Sequence, residues 1–101
     1  TGYVAVELAG VFRALGSEVT VACRHASVLR SFDELLQRGL IEAMEAEGIR
    51  FAWHTQPAGL ARQADGIVLL AADGRRLGPF DTVLWAVGRE PVTADLGLEA
   101  A

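Results

Sequence analysis

At 101 residues the chain has the length of one small domain, able to bury roughly 65% of its unfolded surface. Apolar residues make up 51% and charged residues 22%, and the net charge of −4 lacks the basic balance that general nucleic-acid binding needs. No stretch approaches the run of about 18 apolar residues that crosses a membrane, and no segment has the form of a signal peptide. Cys23 is the only cysteine, which rules out an internal disulfide, a cysteine-based metal site or a redox dithiol within the chain and suggests a reducing, cytoplasmic location. His25 and His54 are far apart in sequence, so no metal is expected.

The chain opens on Thr1-Gly2-Tyr3-Val4-Ala5, the back half of a Gly-x-Gly-x-x-Gly/Ala dinucleotide loop, with Gly2 as second glycine and Ala5 as the small third position. The first glycine and the strand before it are expected in a longer protein, of which this would be one part. Val4, Ala5, Leu8, Ala9, Val11, Phe12 and Leu15 follow at helical spacing, and Gly16 stands where a helix ends. Residues 18–23 are short and rich in β-branched side chains, a buried strand. After an irregular stretch from Arg24 to Arg30, Ser31 and Glu34 have capping-box spacing, followed by Leu36, Leu40, Ala43 and Met44 on one helix that Gly48 stops.

Residues 49–53 read as a third strand, and Ala72-Asp73-Gly74 as the turn of a hairpin between 66–71 and the Arg76-Leu77 segment. Residues 81–87 form a near-continuous apolar run, expected for a strand covered on both faces, with Gly88-Arg89-Glu90-Pro91 as its terminal turn. Residues 92–101 read as a tail. The order strand–helix–strand–helix–strand–hairpin–strand, its first strand outside the chain, describes an α/β, Rossmann-like fold. It is an open parallel sheet with crossover helices and an antiparallel β insertion, of the FAD/NAD(P)-binding type.

The glycine loop would set a helix N-terminus against a pyrophosphate, with Gly2 allowing close backbone approach and Ala5 and Ala9 allowing close packing on the sheet. The second strand decides the nucleotide. An NAD site normally ends it in Asp or Glu, which bonds the ribose 2′-hydroxyl. Here Ala22-Cys23-Arg24 carries no acid, and Arg24, His25 and Arg30 form a basic stretch suited to a 2′-phosphate. Solvated loop arginines are the alternative; the missing acid favours NADP(H).

Tyr3, just after the glycine turn, is either a helix-face residue or a lid over the nicotinamide. Glu7 stands among apolar and small neighbours, where a carboxylate either meets a cation or lies on the wet helix face near the N-terminal dipole. His25 is a nucleotide neighbour or simply exposed. His54 reads as structural, Cys23 as a small buried hydrophobe, and Trp53 and Trp85 as strand core. Asp33, Glu34, Glu42, Glu45 and Glu47 read as the wet face of the second helix.

Three stretches together, Gly2-Tyr3-Val4-Ala5-Val6-Glu7-Leu8-Ala9-Gly10, Arg24-His25 with Leu29-Arg30-Ser31-Phe32-Asp33, and Trp85-Ala86-Val87-Gly88-Arg89-Glu90-Pro91, resemble the NADPH-binding domain of glutathione reductase, a class I pyridine nucleotide-disulfide oxidoreductase. The glycine loop is shared with dihydrolipoamide dehydrogenase and mercuric reductase. The Arg-His…Leu-Arg-Ser-Phe-Asp stretch is the more specific, shared in part with trypanothione reductase. The resemblance implies residues 1–101 as a central NADPH domain, with FAD and interface domains elsewhere in a homodimeric flavoprotein. It implies Tyr3 as the nicotinamide lid, Glu7 as the partner of a flavin-side lysine, and Arg24 and Arg30 as the 2′-phosphate grip. Gly2, Val4, His25, Val87 and Gly88 complete the implied cofactor contacts.

In such an enzyme NADPH reduces FAD, which reduces a protein disulfide and then oxidised glutathione. The redox cysteine pair, the FAD loop and the acid–base pair all belong outside this segment, so it alone is not expected to be active. A sister disulfide or mercuric reductase, and a module that senses NADP(H) without hydride transfer, stand as alternatives. No nucleic-acid or membrane partner is expected.

Overall fold

The computed structural model describes residues 2–93 and Gly97. Thr1 and most of the expected tail lie outside the described residues. Helix α1 spans Tyr3–Ala14, strand β1 Thr20–Ala22, helix α2 Glu34–Ala46 and strand β2 Arg50–Ala52. Strands β3 (Pro57–Gln63), β4 (Gly66–Ala71) and β5 (Arg76–Phe80) follow. β1 and β2 pair in parallel, Val21 opposite Phe51, so α2 is their crossover helix. The pairing continues past the strand ends: Cys23 N–H donates to Ala52 O at 2.9 Å and Thr55 N–H to Cys23 O at 2.8 Å. β3, β4 and β5 form an antiparallel meander, and the fold is α/β with a parallel and an antiparallel sheet, as expected.

Both helices stop at glycines in the left-handed region, Gly16 with φ 95° and Gly48 with φ 89°, where other residues are strained. Arg13 Nε donates to Glu47 O at 2.6 Å, tying the end of α1 to the end of α2. Ala9, Val21, Cys23, Val28, Met44 and Ile49 form the core cluster, with Val6, Leu40 and Trp53 packed around it. Trp53 stacks on Phe51 with ring centroids 4.5 Å apart. β4 supplies a smaller buried group, Val68, Leu69 and Ala71.

Four expectations are corrected. The N-cap of α2 is Asp33, not Ser31: Asp33 Oδ1 accepts from Leu35 N–H at 2.8 Å. Ser31 is instead taken into a turn closed by Phe32 N–H and Leu29 O at 2.8 Å. Residues 81–87 form no strand, because no neighbouring strand pairs with them among the described residues. Trp85 is accordingly 54% exposed rather than core. Finally, β3 had no sequence signal; its Ala, Gly, Arg and Gln residues are poor strand formers, and pairing with the strongly apolar β4 decides its conformation.

Met44 is the part of α2 sunk deepest into the core. Met44→Ala is expected to destabilise the fold by roughly 2–5 kcal/mol. Urea denaturation checks this as a lower midpoint with an unchanged slope.

Candidate nucleotide-binding trough

α1 begins at Gly2, whose φ of −89° and ψ of −178° are extended, and no side chain caps it. No acid lies in its first turn, whereas α2 has both the Asp33 cap and Glu34 there. The free amides and positive dipole end of α1 therefore suit a phosphate, the arrangement anticipated for a dinucleotide loop.

This helix start opens on a trough of about 2010 Å³, larger than the roughly 300–1,000 Å³ of a closed small-ligand pocket and long enough for an extended ligand. Of the anticipated cofactor residues, Gly2, Tyr3, Val4, Arg24, His25, Arg30, Val87 and Gly88 all line it. Tyr3 is 58% exposed at the helix start. Gly88 turns the chain with φ 132°, a conformation that favours glycine.

Glu7 stands apart. It is exposed and lines a separate cleft of about 250 Å³ between α1 and α2, with Val6, Gly10, Leu40 and Met44. Cys23 is fully buried, as expected. His54, whose carbonyl accepts from Arg75 at 2.6 Å, and the α2 carboxylates are outside the trough. Among the described residues no group of His, Cys, Asp and Glu could hold a metal, and no helix is long and apolar enough to cross a membrane.

The loop between β1 and α2 carries the basic charge. Glu18 and Asp81 also line the trough, but neither pairs with Arg24 or Arg30: the ion pairs among the described residues are Arg50–Glu18 and Arg75–Asp73. The electrostatic consequence is visible at His25, whose pKa is lowered from 6.5 chiefly by the Arg30 guanidinium, then by desolvation and by Arg24. An uncharged His25 at neutral pH leaves the two guanidiniums as the permanent cations. The two guanidiniums and the free amides of α1 together form a donor set that fits a phosphate group.

Two residues that hold this loop escaped the sequence reading, Ser27 and Gln37. Ser27 Oγ donates to Gln37 Oε1, and Gln37 Nε2 donates to Phe32 O at 2.7 Å. Polar side chains separated by ten positions give no periodic signal; only the folded loop brings them together.

A parallel strand–helix–strand unit preceded by a glycine-started helix, with an antiparallel sheet attached, is the architecture of a FAD/NAD(P)-binding α/β domain. The family model for pyridine nucleotide-disulphide oxidoreductases matches residues 1–101, and the chain belongs to that family. It is 40% identical to the chloroplastic/mitochondrial glutathione reductase of Pisum sativum over 98% of this chain and 18% of the relative. It is 42% identical to the mitochondrial thioredoxin reductase 2 of Drosophila melanogaster over 99% of this chain and 20% of the relative. The Cu(II) complex of the HOCl-induced flavoprotein disulfide reductase RclA of Escherichia coli matches 99% of this chain and 23% of its own at a TM-score of 0.86 and 25% identity. A second structure of the same protein matches at a TM-score of 0.85 over 22% of its length. The chain thus spans about a fifth of the length of the curated relatives it matches.

If Arg30 is the main influence on His25, Arg30→Ala should raise the imidazole midpoint back toward 6.5, and Arg24→Ala should raise it less. An NMR pH titration of the His25 ring protons measures both.

Proposed function

We propose that residues 1–101 form the NADPH-binding domain of a glutathione-reductase-like flavoprotein, acting in the reducing cytoplasm as part of a homodimer. The observation that carries the nucleotide choice is the acid-free end of β1, followed by Arg24 and Arg30 on the wall of one trough. A 2′-phosphate bears close to two negative charges, and two planar guanidiniums can each meet it with paired hydrogen bonds. The ribose hydroxyl of NADH would find no carboxylate acceptor at that place.

When bound, the nicotinamide supplies a hydride and the flavin of the full-length protein accepts it. The residues of this chain bind and orient. The α1 amides and Gly2 receive the pyrophosphate, Val4, Val87 and Gly88 border the cofactor path, and Tyr3 covers the nicotinamide pocket. Glu7 is read as the partner of a lysine beside the flavin, which its position on an open cleft of α1 leaves accessible. Orientation of this kind lowers a barrier without itself doing chemistry.

Oxidised glutathione as the disulfide substrate of the full-length protein rests on the Arg24-His25 and Leu29-Arg30-Ser31-Phe32-Asp33 stretches and on the similarity to the pea enzyme. The comparable identity to a thioredoxin reductase supports a second reading, the same domain in a sister disulfide reductase. Turnover of the full-length protein with oxidised glutathione against oxidised thioredoxin separates the two.

In the full-length protein, Arg24→Ala/Arg30→Ala should weaken NADPH binding by about 10- to 1000-fold, or roughly 1.4–4 kcal/mol. NADH binding should change little. Fluorescence titration with each nucleotide measures this, and equal binding of both by wild type and variant would refute the phosphate grip.

A further inference from the structure

Of the arginines that line the trough, Arg24 and Arg30 are carried by a loop that neither sheet supports. Between Cys23, the last residue bonded to β2, and Asp33, the cap of α2, no residue joins a strand. Arg24 and His25 leave directly from the fixed Cys23. Arg30 does not; it occupies the second position of the tight turn closed by Phe32 N–H and Leu29 O. Leu29 itself has φ 48°, an unfavourable conformation for a branched side chain that persists only where surroundings enforce it.

Two features enforce it. Val28, fully buried, plugs the middle of the loop into the core. Gln37, one turn into α2, then reaches back with both ends of its amide. Its Nε2 donates to Phe32 O at 2.7 Å, and its Oε1 accepts from Ser27 Oγ. The orientation of the amide is decided by chemistry: a carbonyl can only accept, so the amino group must face Phe32, leaving the oxygen for the hydroxyl of Ser27. A carboxylate at position 37 would set oxygen against oxygen, and an apolar side chain would bond neither.

Gln37 therefore ties together the residues on either side of Val28, Leu29 and Arg30. From a helix that is itself packed into the core through Met44, it fixes the turn on which Arg30 is mounted. We infer that Gln37, with Ser27, is a positioning residue for nucleotide selection: it presets the Arg30 turn for the 2′-phosphate and so sets the preference for NADPH over NADH. Gln37 and Ser27 line no part of the trough. Their effect runs through loop order. A turn held in place before binding spares the ordering cost that a loose turn meets when the phosphate arrives. This inference rests on the reading of Arg24 and Arg30 as a 2′-phosphate grip.

The test is steady-state kinetics of the full-length flavoprotein with NADPH and with NADH, comparing wild type, Gln37→Met, Arg24→Ala/Arg30→Ala and the triple variant. Gln37→Met keeps the length of the side chain and removes both hydrogen bonds. It should raise KM for NADPH about 5- to 20-fold, with kcat and the KM for NADH each held within about twofold. In the arginine-free background the same substitution should change KM for NADPH by less than about twofold, because there is no longer a guanidinium to position.

A parallel rise in KM for both nucleotides would mean that Gln37 merely stabilises the fold and would overturn the inference, as would no change at all. An effect of Gln37→Met that persists undiminished without the arginines would also overturn it. If the arginine pair alone leaves KM for NADPH unchanged, the phosphate grip itself fails, a result distinct from loss of the Gln37 effect with the grip intact. Should Gln37→Met not fold, Ser27→Ala, which removes only one of the two ties, decides in its place. A rise selective for NADPH supports the inference, and a rise for both nucleotides or for neither ends it.

Discussion

The parallel ladder between β1 and β2 is the constraint on which the site depends. Its bonds run beyond the formal strands, through Cys23 to Ala52 and Thr55, so the chain leaves the sheet at one fixed point. Parallel neighbours cannot be joined by a short turn, so the connection must climb away and return through a helix. That helix is α2. The excursion between Cys23 and Asp33, imposed by the topology, carries Arg24, His25 and Arg30 to the trough that the start of α1 also lines.

Packing makes that excursion definite. An irregular loop would have to hide its apolar residues or remain mobile. Here Val28 enters the same cluster as Val21, Cys23 and Met44, and Leu29 packs against it. With Val28 buried and Leu29 half-buried, His25 before them and Arg30 after them are left exposed to solvent. Charge separation follows from apolar burial, and neither guanidinium is paired with an acid: of the two carboxylates that line the trough, Glu18 is taken by Arg50 and Asp81 forms no ion pair among the described residues. The lowered pKa of His25 is the signature of that uncompensated charge.

The two helices show how the same local chemistry serves opposite ends. α2 satisfies its own N-terminus with Asp33 and places Glu34 in its first turn, so it offers nothing to an anion. α1 has a glycine in place of a capping side chain and no acid nearby, so its amides face the trough. The proposed phosphate-facing role of α1 rests on this asymmetry, in a family whose members act on pyridine nucleotides and disulphides.

Much of the site was legible in the residues themselves. Glycines at 16 and 48 end the helices because their left-handed backbone favours glycine, and Gly2 stands at the helix start without a capping side chain. The β-branched run at 19–21 and the missing acid at its end are local facts that no folding can change. Charge and hydrogen-bonding capacity belong to the side chain, so the basic character of Arg24, His25 and Arg30 needed no structure. Tertiary structure decided what depends on a distant partner: that 57–63 pairs as a strand while the far more apolar 81–87 does not, that Asp33 rather than Ser31 caps α2, and that Gln37 reaches Ser27 and Phe32. A strand exists only where another strand bonds to it, and a loop takes one shape only where remote side chains hold it. Residue identity fixes what a group can do; the fold alone fixes which group it meets.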